Sequence, residues 1–545
     1  MLLPLLNSPL GKYNFGTSKE NYSPGSPVLL KGVGAFGLTS PRPMGLGLIN
    51  APQIIYPDRL LMIFTSGLLA LVGVGLKGPH GALRGLRFLV ILMLLGAGLL
   101  GPGAFSLWAA QPPDPFAQVV ERQLPNGLKV LVLRESRAPL ISVQVWYRVG
   151  SRNEELGKTG LSHLTEHLMF KGTDKYGPKV FSREVQKAGG TDNAFTSRDY
   201  TAYFENGPQT ELKRWLNMEA DRLQGLKVSE EDFLTEQKVV LEERRMRTED
   251  DPVNFLVEET MAAAYKAHPY QWPVIGWFHD IQSLNREDFL KHYRRYYQPN
   301  NATVVVVGDV VPEEAIKEVE AAFGHLPRGP EPPKVTAQEP RQWGERRVIV
   351  RREAQLPYVL MAYHAPNWED EDAYPLELLS RVLSQGRSSR LYHRLVYQQR
   401  LALEAGADYD FDTANPTVFT FHAQPLPGKT AAQLEAALEA EIKRLQTDLV
   451  AEPELLKAKN QTQAGFYMSM DSMFYRGMLL GRLESVARWT LIKEFIPKIL
   501  QVTREDLRRV ARKYLVSDNR TVGILSPLKT DKPTVERYRP GGQIN

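Results

Sequence analysis

The sequence predicts an α+β protein of two homologous domains, each an antiparallel-type sheet packed with helices. Three observations carry this. First, residues 285–307 (NREDFLKHYRRYYQPNNATVVVV) align without gaps with residues 503–525 (TREDLRRVARKYLVSDNRTVGIL), at an offset of 218 residues. Arg286/Arg504, Glu287/Glu505, Asp288/Asp506, Tyr296/Tyr514, Asn301/Asn519 and Thr303/Thr521 are identical pairs. Each copy reads as a capped helix, a turn and a buried strand. Similarity at so long a period marks a duplicated domain rather than a solenoid. Second, residues 329–340 open with Gly-Pro-Glu-Pro-Pro and carry little apolar content, as a connector should. Third, strand-like runs (127–133, 140–149) and long helical stretches (210–223, 431–449) are grouped without a regular βαβ alternation.

Taken in chain order, residues 1–83 show no clear structural pattern and read as an over-extended start or a disordered leader. Arg84 and Arg87 precede an apolar run from Phe88 to Leu100, broken at Gly101-Pro102-Gly103 and followed by Ala109-Ala110. Segment 84–110 therefore reads as a signal peptide or an uncleaved transmembrane anchor, which places the rest of the chain in the periplasm or facing outward from a membrane. Residues 116–328 form the first domain, 329–343 the linker, 344–530 the second domain and 531–545 a tail. The net charge of +5 over 545 residues, with no long basic run, does not single out nucleic acid as a partner. With no cysteine in the chain, any zinc must be held by histidine and carboxylate, which favours a catalytic over a structural site.

The first domain holds the chemistry. His163-Leu164-Thr165-Glu166-His167 reads His-x-x-Glu-His. On a helix, residue 166 lies about 60° to one side of residue 163 and residue 167 about 40° to the other, so all three share a face. Two imidazoles four residues apart can grip one zinc ion, and the carboxylate between them lies beside the open coordination position. Leu161, Leu164, Leu168, Met169 and Phe170 give the helix a buried side. A catalytic zinc needs a third protein ligand. The acid-rich helical stretch 229–247 offers Glu236 and Glu243, seven apart and on one face, but spacing alone does not choose between Glu242 and Glu243. In the second domain the repeat sets Arg381 and Gln385 opposite the two histidines, so this copy is expected to do no metal chemistry.

From about residue 119 to 525 the chain resembles the pitrilysin/insulinase superfamily of inverted-motif zinc metallopeptidases, and within it the bacterial processing-peptidase-like branch. The likeness rests on LPNGLKVLV (124–132), VGSRNEELGKTGLSHLTEHLMFKGT (149–173), GGTDNAFTSRDYTAYF (189–204), VVLEERRMR (239–247), HPYQWPVIGW (268–277) and NNATVVVVGD (300–309). The resemblance implies one Zn2+ per chain on His163, His167 and Glu243, with Glu166 as general base and Glu236 supporting the site from behind. It implies that Asn193, Ala194, Phe195 and Thr196 lie on an edge strand that pairs with a peptide substrate, and that the two domains form half of a clam-like chamber. The implied activity is zinc-dependent endopeptidase action on peptides or unfolded segments. The other reading is a non-catalytic, processing-peptidase-like assembly subunit. Single-chain active relatives carry in the second domain an Arg and, seven residues on, a Tyr that complete the site. Val396 and Leu403 fall at those positions, and neither Arg394 nor Arg400 has a Tyr seven residues later. A homologous partner chain supplying Arg and Tyr is therefore expected, or failing that a homo-oligomer.

Overall fold

The structure, a computed structural model, describes residues 114–528. The 1–83 leader, the 84–110 segment and the 531–545 tail lie outside the described residues. Among the described residues no helix is long and apolar enough to cross a membrane.

Two sheets organise the chain. The first contains β1 (Val120–Gln123), β2 (Lys129–Arg134), β3 (Leu140–Tyr147), β4 (Thr191–Thr196), β5 (Thr201–Pro208) and β6 (Ala302–Gly308), in the order β1-β2-β6-β3-β5-β4. The second contains β7 (Arg346–Glu353), β8 (Tyr358–Ala365), β9 (Ala402–Tyr409), β10 (Thr417–Pro425) and β11 (Arg520–Leu528), in the order β7-β11-β8-β10-β9. The two share one plan. In each, the last strand to be made enters the sheet's interior, parallel to one neighbour (β2–β6, β7–β11) and antiparallel to the other (β3–β6, β8–β11). The Val304–Val307 run is wholly buried because β6 is a central strand with both faces covered.

The repeat read from sequence appears in register. Helices Arg286–Tyr296 and Arg504–Tyr514 begin and end 218 residues apart. Their N-caps, Asn285 and Thr503, accept from the backbone N–H groups of Asp288 and Asp506, whose carboxylates reach back to the cap N–H groups. Such reciprocal capping satisfies donors that a helix start would otherwise leave orphaned. Element ends move slightly: the 127–133 strand runs Lys129–Arg134, and the 210–223 helix runs Leu212–Gly225 after a 3-10 turn. Residues 329–343 form neither helix nor strand.

Each half lends the other a helix. Helix Pro252–Ala264, from the first half of the sequence, lies on the second sheet. Its Leu256 packs with Val350, Tyr358, Leu360 and Leu525, and its Met261 and Ala264 with Ala362 and Val418. Helix Met473–Val486, from the second half, lies on the first sheet, with Leu479, Leu480 and Leu483 in one core with Leu131, Trp146 and Val305. Glycines permit the close approach. A Cβ on Gly481 would run into the Trp146 indole, one on Gly477 into the Gln144 amide, and one on Gly523 into the Thr260 hydroxyl. The exchanged helices sit at corresponding positions of the repeat, so the exchange is reciprocal.

Candidate metal centre

The motif helix, Leu161–Leu168, starts after Gly160, whose φ of 86° suits glycine, and where a Cβ would strike the Ile275 carbonyl. Its first turn is satisfied by Glu154, which accepts from Gly160 N at 2.8 Å and Ser162 N at 2.6 Å. Burial nevertheless pushes the Glu154 carboxyl up to about 8. Leu161, Leu164 and Leu168 anchor the helix in the first sheet's core, which turns His163, Glu166 and His167 toward a second helix, Glu230–Arg244. That helix opens on a Ser229–Asp232 capping box. Its own anchors are Phe233 and Val240 in the core, Gln237 on the carbonyls of Ile281 and Leu284 (2.8 Å each), and Arg244 on both carboxylate oxygens of Glu258 (2.9 and 2.7 Å). The helix then passes into a π turn, Arg245–Glu249.

The two helices bring His163, His167 and Glu243 together, with one donor atom from each lying within 4.8 Å of the others. Among the described residues no other group of three His, Cys, Asp or Glu converges this way. Glu243 Oε2 is 3.3 Å from His167 Nε2, and Oε1 is 3.8 Å from His163 Nε2. Tetrahedral zinc with bonds of about 2.0–2.2 Å spaces its ligands about 3.3–3.5 Å apart, so the two Glu243 pairs already stand near that spacing and the whole set, within 4.8 Å, is close enough to draw in around one ion. Two imidazoles and one carboxylate are also the donor chemistry of a catalytic rather than a structural zinc site. Of the two carboxylates that spacing leaves open, Glu243 faces the imidazoles, whereas Glu242 points outward, 65% exposed, and pairs with Arg245.

Glu236 stands behind the site. Its Oε2 lies 3.2 Å from His167 Nδ1, and its Oε1 lies 2.6 Å from Lys171 Nζ. A carboxylate on the far nitrogen of a ligating imidazole fixes the tautomer that leaves the near nitrogen free. His163 has no such support: its Nδ1 is buried without a hydrogen-bond partner. The titration pattern follows from these contacts. Burial, with His167 beside it, drives His163 down to about 3. Burial also opposes charge on His167, but Glu236 and Glu243 outweigh it and raise the ring to about 10. Burial likewise works against charge on Glu243, yet the cationic neighbours hold it ionised down to about 2. Glu166 is raised by burial, against the pull of His167 and of a hydrogen bond from Thr196.

Asn193, Ala194, Phe195 and Thr196 lie on β4, at the edge of the first sheet among the described residues, and pair with β5. Asn193 Oδ1 accepts from Ala194 N, and Phe195 packs edge-on to Trp146. Val396 lies in a π turn, Tyr392–Gln398, and Leu403 is 46% exposed on β9. Arg394, one alternative cation, is tied to Glu441 at 3.0 Å. His268 accepts from Tyr270 N through Nδ1, a turn-capping role, and is not part of the three-donor group. Sequence reasoning missed three supports of the site: the Glu154 cap, the Lys171–Glu236 pair and the Arg247–Glu243 pair at 2.6 Å. The last stands four residues apart on one helical stretch and was open to sequence reading. The first two depend on chain reversals that spacing does not encode.

An α+β scaffold holding two histidines of a His-x-x-Glu-His helix against a distal glutamate is that of a zinc peptidase, and the comparisons agree. Residues 129–276 match the family profile described as Insulinase (Peptidase family M16), and residues 283–462 match the one described as Peptidase M16 inactive domain. The chain is 34% identical over 414 residues to the zinc protease PqqE of Helicobacter pylori, covering 74% of this chain and 92% of that one. It is 29% identical over 433 residues to an uncharacterized zinc protease of Mycobacterium tuberculosis, covering 78% and 98%. Among solved structures, a protease from Helicobacter pylori superposes with a TM-score of 0.73 at 33% identity, over 75% of this chain and all of that one. The periplasmic protease PqqL from Escherichia coli, at 16% identity and a TM-score of 0.63, covers 80% of this chain and 52% of its own, and shares the fold. The chain belongs to the insulinase family of peptidases, family M16.

Proposed function

We propose that the protein is a zinc-dependent endopeptidase that hydrolyses peptides or unfolded protein segments. The observation that carries this reading is the convergence of His163, His167 and Glu243 with Glu166 on the same helix face. His163 Nε2, His167 Nε2 and the Glu243 carboxylate would hold one zinc ion. When bound, zinc supplies Lewis acidity to the scissile carbonyl and acidifies water at neutral pH. Glu166 takes the proton of the attacking water and passes it to the leaving amine, a contribution of about 10²–10⁴ in rate. With a metal on His167 Nε2, Glu236 would accept from Nδ1 and so fix the ring's tautomer and orientation. β4, the edge strand of the first sheet among the described residues, would offer main-chain N–H and C=O groups to an extended peptide, gripping the backbone whatever its side chains. Metal analysis and a peptide-hydrolysis assay test the reading together. One tightly bound zinc per chain is expected, with activity lost to a chelator and regained on adding zinc. A chain that binds no metal would be the assembly subunit instead.

Two further expectations belong to this reading. With Val396 and Leu403 where an oxyanion donor pair is needed, the lone chain is expected to be very slow, since loss of one such donor costs about 3–4 kcal/mol of transition-state stabilisation. Assayed alone and then with a homologous partner chain carrying Arg and Tyr at those positions, activity should rise by two orders of magnitude or more, about what one donor is worth. Full activity from the lone chain, unchanged by any partner, would rule the shared site out. The protein is also proposed to be exported, on the strength of the 84–110 segment. N-terminal sequencing of the mature protein should give a start near Gln111, and an intact start in the cytoplasm would refute this.

A further inference from the structure

We infer that Thr196 is the positioning residue of the base: its hydroxyl holds the Glu166 carboxylate, and through it the strand that receives the peptide is tied to the group that activates water. This rests on the reading of Glu166 as that base. The geometry starts from the pleat of β4. Side chains alternate between faces. Asp192 reaches Ser182 Oγ at 2.5 Å, on the side of helix Val180–Lys187, while Phe195 turns the other way, onto Trp146. Thr196 falls on the Asp192 side, facing the motif helix, and is 3% exposed. Its Oγ1 donates to Glu166 Oε2 at 2.5 Å.

A hydroxyl has one proton, and here it goes to a carboxylate, the stronger kind of hydrogen bond. Thr201, directly opposite Thr196 in the β4–β5 pairing, places its own Oγ1 3.3 Å from Thr196 Oγ1 and reaches the Val149 carbonyl at 2.9 Å. Thr196 is thus backed by a fully buried neighbour, and its β-branched side chain has few rotamers to choose from. Glutamate, by contrast, has a long flexible stem whose ordering costs entropy. Holding one carboxylate oxygen leaves the other to face the water. The backbone of Thr196 meanwhile belongs to the edge strand proposed to pair with substrate. One residue serves both tasks without sharing an atom between them: main chain for the peptide, hydroxyl for the base.

The test compares Thr196→Val, which keeps the shape and removes the hydroxyl, with Thr196→Ser, which keeps the hydroxyl, in the zinc-loaded full chain with its partner if activity requires one. For Thr196→Val, kcat should fall about tenfold or more, a part of what general-base catalysis contributes. KM and zinc content should stay at the parent values, because neither the strand backbone nor the ligands change. Thr196→Ser should recover most of the lost kcat, which a packing role for the methyl group would not predict. Parent-level kcat in the Val variant, or a Ser variant no better than Val, overturns the inference. A crystal structure of the zinc-loaded protein decides the contact without reference to turnover: Thr196 Oγ1 beyond hydrogen-bond reach of Glu166 overturns it as well. Glu166→Gln in the same assay keeps the two questions apart. If it cleaves like the parent, the base assignment falls, whereas the crystallographic contact still stands or falls by itself.

Discussion

Glu166→Gln is expected to bind zinc as the parent does and to lose nearly all hydrolysis, by about 10²–10⁴-fold or more. The amide is almost isosteric with the carboxyl, so the motif helix and its two imidazoles stay in place. It can still accept the Thr196 hydrogen bond through its carbonyl oxygen. What it cannot do is take a proton from water. The loss should appear in kcat with metal content unchanged, the signature of an interaction needed only in the transition state. His163→Ala and His167→Ala should instead lose metal and activity together. Cleavage by the Gln variant at close to the parent rate would show that the base lies elsewhere.

Glu243→Gln should weaken zinc binding by more than a hundredfold, since outer-shell groups alone are worth about 10–100-fold. Glu242→Gln, one residue away, should leave it unchanged. The contrast is sharp because the two side chains differ in everything except identity. Glu243 faces both imidazoles at 3.3 and 3.8 Å, while Glu242 lies 65% exposed in a pair with Arg245. Exposed ion pairs of that kind are screened by solvent and contribute little, so losing this one should not disturb the metal site. Competition with a chromophoric chelator reads both affinities directly. The reverse outcome would move the third ligand to position 242 and require the helix to turn by about 100°.

How much of this was legible in the sequence depends on the range over which each feature is encoded. The motif helix and the paired capped helices are local, written in periodicity and cap residues within a dozen positions, and they appear where the spacing puts them. The duplication was visible because both copies of the helix–turn–strand unit kept their cap, their Asp and their buried strand. Glu236 and Glu243 shared a face by helical arithmetic, but the preference for Glu243 over Glu242 needed the packing of a second helix against the first. Thr196 was readable as part of a strand, whereas its hydroxyl's partner, 30 residues away, was not. The reciprocal helix exchange was invisible, because the apolar faces of 252–264 and 473–486 say that something is covered, not which sheet covers it.

That exchange sets a timetable for biosynthesis. β3, complete at Tyr147, has one face covered by helices of the first half, but the face carrying Trp146 relies on Leu479, Leu480 and Leu483, so that face lacks this cover until more than 300 further residues have been made. Contacts of such long sequence separation form late and slowly. The nascent chain is therefore an aggregation hazard for most of its translation, and a fragment ending at the 329–343 segment inherits the hazard permanently. Neither half should be obtainable alone as a soluble, cooperatively folding species. The intact 114–528 unit should unfold in one transition, because losing either borrowed helix strips the sheet beneath it.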